Sequence, residues 1–137
     1  MKVLLVEDEV YVASLLQILI EEGGVHEVVG AVSTFDCAMQ IAASHHPELA
    51  LIDIKLADLS TGYSVAAELR KLSIHSVFVT GAAPPFPMPE LALGCLSKPF
   101  TSAYVHSLLE HVQALIEGGV PEASMTAGAV EIYVNTA

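Results

Sequence analysis

The feature that most constrains this chain is an alternation between short apolar runs and segments with helical spacing. Val3–Val6 is apolar throughout and stops at Glu7-Asp8-Glu9. Such a run reads as a strand covered on both faces, because a half-exposed strand would alternate with polar residues. From Val10 the period changes: Val12, Leu15, Leu16, Leu19 and Ile20 recur at three- and four-residue steps, one face of a helix that Gly23-Gly24 can stop. Val28–Val32 is a second strand. Ser33 or Thr34 can cap the next helix, whose apolar face is Phe35, Ala38, Met39 and Ala42 and which Pro47 closes. Leu49–Ile52 ends at Asp53. A polar loop with Asp58, Ser60 and Gly62 follows, then a helix marked by Val65, Ala66, Leu69 and Leu72.

Val77–Val79 is a fourth strand that ends in Thr80-Gly81. Pro84, Pro85, Pro87 and Pro89 come next. Each removes an amide donor and restricts the residue before it, so no regular helix fits between Ala82 and Pro89, and at most one turn fits around Glu90–Leu93. Cys95-Leu96 is a short fifth strand, left through Lys98-Pro99-Phe100. Thr101 or Ser102 caps a last helix with Tyr104, Val105, Leu108, Leu109, Val112, Leu115 and Ile116 on one side, ended by Gly118-Gly119. Strands alternating with helices predict a three-layer α/β sandwich around a parallel sheet. We place one domain over residues 1–117 and a linker or tail over 118–137. Within that tail Val120–Gly128 reads as linker, while Ala129–Val134 is apolar enough for a strand or a docking segment; a frayed end is equally compatible.

Charge narrows the function. Sixteen acids against five bases give a net charge of −11, and the bases Lys2, Lys55, Arg70, Lys71 and Lys98 do not cluster. Binding to nucleic acid or to an anionic membrane is disfavoured, since both require basic patches. No apolar run approaches the ~20 residues a membrane-spanning helix needs. Cys37 and Cys95 form no disulfide framework, which fits a reduced, cytoplasmic protein. Both read as small buried apolar residues.

In open parallel sheets the working crevice lies beyond the carboxyl ends of the strands. Those ends deliver Glu7, Asp8 and Glu9, Asp53, Thr80, and Ser97 with Lys98. Crowded carboxylates repel, and a hard divalent cation removes that cost. Mg²⁺ suits Glu7, Asp8 and Asp53, with the backbone carbonyl of Lys55 as a further ligand. Glu9 reads instead as a residue placed for the helix dipole. A carboxylate can attack phosphorus, an ammonium such as Lys98 can neutralise the phosphoryl oxygens, and Thr80 can donate its hydroxyl to them.

Leu5-Val6-Glu7-Asp8-Glu9, Leu51-Ile52-Asp53-Ile54, Phe78-Val79-Thr80-Gly81 and Leu96-Ser97-Lys98-Pro99-Phe100 together resemble the receiver domain of two-component response regulators. The resemblance implies a CheY-like, flavodoxin-like fold with a five-stranded parallel sheet in the order 2-1-3-4-5, its fourth helix here shortened or missing. It implies Asp53 as phosphoacceptor, Mg²⁺ at Glu7 and Asp8, and Thr80 and Lys98 as readers of the phosphoryl group. The donor would be a histidine kinase or a histidine phosphotransfer protein. The output would be an unknown downstream protein, with a homodimer left open. Beyond slow self-dephosphorylation no enzyme activity is implied. Typical receivers place Tyr or Phe three residues before the lysine, and here that position is Cys95. With the proline-rich loop, this resembles the "FAT GUY" subgroup of single-domain receivers in alphaproteobacteria, although Val79 departs from that subgroup's alanine.

Three other assignments stand beside this one. A fragment of a larger regulator or hybrid kinase would carry the same residues. A phosphorylation-independent binding module would not need the acid pair, Asp53, Thr80 and Lys98 together. A phosphohydrolase of the haloacid dehalogenase type would want a second Asp two residues after the nucleophile, where Lys55 stands.

Overall fold

The computed structural model describes residues 1–56, 58–82, 87–119 and 125–133. Five strands form the parallel body of the sheet: β1 (Lys2–Val6), β2 (Glu27–Val32), β3 (Leu49–Asp53), β4 (His75–Thr80) and β5 (Gly94–Ser97). They lie in the order β2-β1-β3-β4-β5. Helices α1 (Val10–Glu21), α2 (Phe35–His45), α3 (Gly62–Lys71) and α4 (Ser102–Ile116) connect or follow them. The expected order 2-1-3-4-5 is therefore present, with no fourth crossover helix between β4 and β5 among the described residues. Met88–Leu91 makes a single turn there, with Leu91 and Ala92 N–H on the Met88 carbonyl. Pro84 and Pro85 lie outside the described residues.

The expectation of five strands requires a correction. The sheet has seven, because a hairpin of β6 (Met125–Ala127) and β7 (Val130–Ile132) adds antiparallel to β5. Part of the stretch read as linker is thus strand. Three-residue strands carry too little alternation to announce themselves, and the turn between them, Gly128-Ala129, lacks the strongest hairpin dipeptides. Gly128 takes φ +60°, and a side chain there would run into the Tyr104 ring of α4.

Two apolar clusters fill the layers on either side of the sheet. Val3, Leu5, Leu51, Val77, Val79 and Leu96 face α1 and α4, meeting Leu16, Ile20, Leu108 and Val112. Leu4, Val6, Ile52 and Phe78 face α2 and α3, meeting Ala38, Ala42, Val65 and Leu69. Tyr63 of α3 meets Phe78 edge-on at 5.2 Å between ring centres. Thr34 caps α2 and Thr101 caps α4. Thr61, not singled out from the sequence, does the same for α3 by accepting from Ser64 N–H. Two expectations fail on exposure. Cys37 is exposed on α2. Leu15, assigned to the core face of α1, is 45% exposed, because the inward stripe is narrower and runs through Leu16 and Ile20.

The loop after β3 returns on itself: Gly62 N–H donates to the Ile54 carbonyl at 2.7 Å. A side chain at Gly62 would collide with the Asp53 carbonyl oxygen. Gly62→Ala should therefore lower stability by about 1–3 kcal/mol, the usual cost of forcing bulk into a filled site. The urea midpoint checks this; an unchanged midpoint would show that the loop has slack.

Candidate functional site

The carboxyl ends of β1, β3, β4 and β5 are brought level by their register: Val6 pairs with Ile52, Asp53 with Val79, and Thr80 with Ser97. The residue after β1 and the last residue of β3 therefore project at the same rim. Glu7, Asp53 and Thr80 are almost fully buried, each under a tenth exposed, while Asp8 and Glu9 are open to solvent. One carboxylate oxygen from each of Glu7, Asp8, Glu9 and Asp53 falls within a 4.8 Å cluster. Lys98, which leaves β5 through a cis bond to Pro99, reaches back across this rim. Its Nζ lies 2.9 Å from Glu7 Oε1, 3.3 Å from Asp53 Oδ2 and 3.3 Å from Glu9 Oε1.

The structure thus gathers Glu7, Asp8, Asp53 and Lys98 in one pocket. Thr80 stands at the next position along β4, but its hydroxyl is turned away: it accepts from Ala82 N–H and donates to the Ala82 carbonyl, both at 3.2 Å. Lys55 enters the site through its amide, whose N–H donates to Asp53 Oδ1 at 3.1 Å. Glu9 was assigned to the helix dipole. It occupies the cap position of α1 without a side-chain capping bond, and its carboxylate is paired with Lys98 instead. The signal was there in the three consecutive acids, but helix-end statistics favoured the other role.

Electrostatics follow from burial and from one ammonium among three carboxylates. Burial, and then a hydrogen bond shared with Asp53, push the Glu7 carboxyl up to about 7 against the pull of Lys98. Burial would raise Asp53 too, but the Glu7 proton, the Lys55 N–H and Lys98 outweigh it and hold Asp53 below the ordinary carboxylate range. Burial acts to lower Lys98, and its pairing with Glu7, then with Asp53 and Glu9, holds it above the usual lysine value. Without metal, Glu7 holds a proton below about pH 7, which limits the repulsion there.

The donor set fits a hard divalent cation. Glu7 Oε1 is buried without an aligned hydrogen bond, its contact with Lys98 being an ion pair only. Its lone pairs remain available beside Asp8 and Asp53, an all-oxygen group of the kind Mg²⁺ selects. A bound cation would supply the charge compensation that the Glu7 proton supplies here.

The chain matches the family model "Response regulator receiver domain" over residues 3–110. It belongs to that family. Receiver domains generally bind Mg²⁺ at an acidic pocket of this kind, and they interact with histidine kinases or phosphotransfer proteins. The phyllosphere-induced regulator PhyR of Methylorubrum extorquens is 35% identical over 113 residues, covering 79% of this chain and 42% of that protein. The receiver domain of Erythrobacter litoralis PhyR superposes with a TM-score of 0.71 at 29% identity, covering 89% of this chain and 95% of that one. The anti-anti-sigma factor PhyR of Bartonella quintana gives 0.74 at 28% identity, covering 86% and 50%. The chain thus spans about half or less of the full-length relatives, and most of the isolated domain.

Beside the pocket, α1 presents Val10, Tyr11, Leu15 and Ile18 to solvent, with Tyr11 91% and Ile18 66% exposed. Among the described residues no helix is long and apolar enough to cross a membrane.

A pH dependence follows from Glu7. Its carboxyl titrates near 4.5 when unfolded and near 7 when folded. Between those values the folded chain holds a proton that the unfolded chain has lost, so stability falls as pH rises. Asp53 acts oppositely and only at acid pH, below its ordinary 3.8. Burial holds His26 and His75 below the ordinary histidine value, which acts the opposite way in the same window; without metal, the wild type should therefore lose melting temperature relative to Glu7→Gln between pH 5 and pH 8. Equal slopes in both proteins would place the titration elsewhere.

Proposed function

We propose that this receiver is a phosphorylation-controlled switch in which Asp53 accepts the phosphoryl group. The observation that carries the reading is the buried Asp53 carboxylate, held ionised by Lys98 Nζ at 3.3 Å and by the Lys55 amide. An ionised carboxylate is the nucleophile that acyl phosphate formation requires. In the transfer, an Asp53 oxygen bonds to phosphorus as the bond from phosphorus to the donor nitrogen breaks, and that nitrogen keeps the electron pair. Lys98 then neutralises the phosphoryl oxygens. Glu7 and Asp8, with Asp53 and the Lys55 carbonyl, would hold Mg²⁺, which spreads the developing charge when bound.

Thr80 supplies the second half of the switch. Among the described residues its hydroxyl is engaged with Ala82 alone. Turning it toward a phosphoryl group on Asp53 breaks both bonds and frees the start of the loop at 81–82. The surface formed by that loop, β5 and α4 then changes. Output is through protein contacts in the cytoplasm; the Bartonella relative, an anti-anti-sigma factor, supports protein partners over nucleic acid, as does a net charge of −11. The same switch serves alone or within a larger regulator. Hydrolysis of the acyl phosphate is a slow self-catalysed step, and the protein is not a turnover enzyme.

The donor, a histidine kinase or phosphotransfer protein, docks on the apolar stripe of α1 at Tyr11, Leu15 and Ile18. That stripe starts three residues past Asp8 and is exposed. Mass spectrometry after incubation with Mg²⁺ and acetyl phosphate should show one phosphoryl adduct in the wild type and none in Asp53→Asn. An equal adduct in that variant, or none in the parent, would refute the assignment. Ile18→Glu should slow transfer from a phosphorylated donor protein by about tenfold, the loss of one interface anchor. It should leave labelling by acetyl phosphate unchanged.

A further inference from the structure

The strand that carries Lys98 is held from both sides, by β4 on one edge and by the C-terminal hairpin on the other. The hairpin grips β5 at its two ends. Tyr133 N–H donates to the Leu93 carbonyl at 2.8 Å, and Ser97 N–H donates to the Ala129 carbonyl at 2.7 Å. Ser97 directly precedes Lys98. Between these bonds the two backbones come so close at Gly94 that a side chain there would strike the Glu131 carbonyl. The site therefore depends on the hairpin through the backbone of its own lysine arm.

A second link runs through side chains. Tyr133 is 5% exposed and lies in the cluster that contains Phe78, Cys95 and Tyr63. Its phenol lies beside the Cys95 thiol within that cluster. Cys95 is small for a position at the centre of β5, and the Tyr133 ring supplies the bulk beside it from outside the strand. Phe78 pairs with Cys95 in register, and Thr80, two residues on, shares its face of β4 and pairs with Ser97. Phe78, Cys95 and Tyr133 pack in one cluster, and Thr80 follows Phe78 on the same face of β4, so a row of residues leads from the Thr80 hydroxyl to the hairpin. Burial pushes the Cys95 thiol up to about 11 and raises the Tyr133 phenol further, so both stay neutral in this row.

We infer that Tyr133 is a positioning residue for the pocket and that the hairpin bearing it tightens on β5 when an anion occupies Asp53. When Thr80 turns from Ala82 toward the anion, room opens above Phe78 for the Tyr133 ring. When Lys98 leaves Glu9 for the anion, β5 is drawn against β4 and carries the Ala129–Ser97 bond with it. Linkage is reciprocal: an anion that favours the docked hairpin must be bound more tightly because the hairpin docks.

The inference rests on the assignment of Asp53, and one probe tests both. Mg²⁺ with beryllofluoride is titrated into the full chain by calorimetry, and amide hydrogen exchange is followed at Ser97 and Tyr133. Saturation should slow exchange at both amides by about tenfold, and Tyr133→Ala should weaken binding of the probe by a similar factor. Cys95→Tyr combined with Tyr133→Ala, which returns the ring to β5 itself, should restore the affinity to within about twofold, a rescue that a merely structural loss would not give. Tyr133→Leu keeps apolar bulk and guards against simple unfolding; it should bind more weakly than wild type while remaining folded by circular dichroism. Binding of the probe with unchanged exchange at Ser97 and Tyr133, or wild-type affinity in folded Tyr133→Ala, would overturn the inference and leave the Asp53 assignment standing. Failure of the wild type to bind the probe at all would remove both.

Discussion

One ammonium among three carboxylates sets the terms for the rest of this molecule. Lys98 stands within 3.3 Å of Glu7, Glu9 and Asp53. Without it, two buried acids would face each other with no positive side chain between them. With it, the burden is divided: Asp53 stays ionised, Glu7 takes up a proton, and Glu9 supplies an exposed counter-charge. A pocket arranged this way is short of positive charge, and that shortage makes it receptive to a divalent cation.

The parallel sheet exists, from the viewpoint of the site, to bring these groups level. Residues 6, 52 and 32 are aligned across the first three strands, and residues 53, 79 and 96 across the next. Side chains tens of residues apart in sequence reach one rim because β1, β3, β4 and β5 are short, largely buried and end level with one another. Gly62 contributes by letting the next helix start against the backbone of Asp53 itself. The closeness of that approach keeps the loop after Asp53 tight where that side chain meets Lys98.

Much of this was legible in the residues. The unbroken apolar runs at Val3–Val6 and Leu49–Ile52 declared strands covered on both faces, and the acids after them declared the rim. Glu7, Asp8, Asp53, Thr80 and Lys98 needed only the strand order to be placed together. Three things were not legible. The role of Glu9 depends on where a lysine eighty-nine residues later can reach, which no local pattern encodes. The exposure of Leu15 depends on how α1 rolls against α4, since its periodicity allows either of two adjacent stripes. The hairpin is built from two three-residue strands whose pairing is decided by Gly94 and by Tyr133 meeting Cys95, contacts between distant segments.

That hairpin also changes the outer boundary of the molecule. A parallel sheet ending at β5 would offer four unpaired residues of apolar backbone to any passing chain, an invitation to edge-to-edge aggregation. Covered by β7 and then β6, this margin shrinks to a three-residue strand, too brief to template much. The opposite margin is the six-residue β2, Glu27–Val32, rich in valine. Colloidal stability therefore falls to mutual repulsion between molecules each carrying eleven excess negative charges, a protection that weakens as salt screens it.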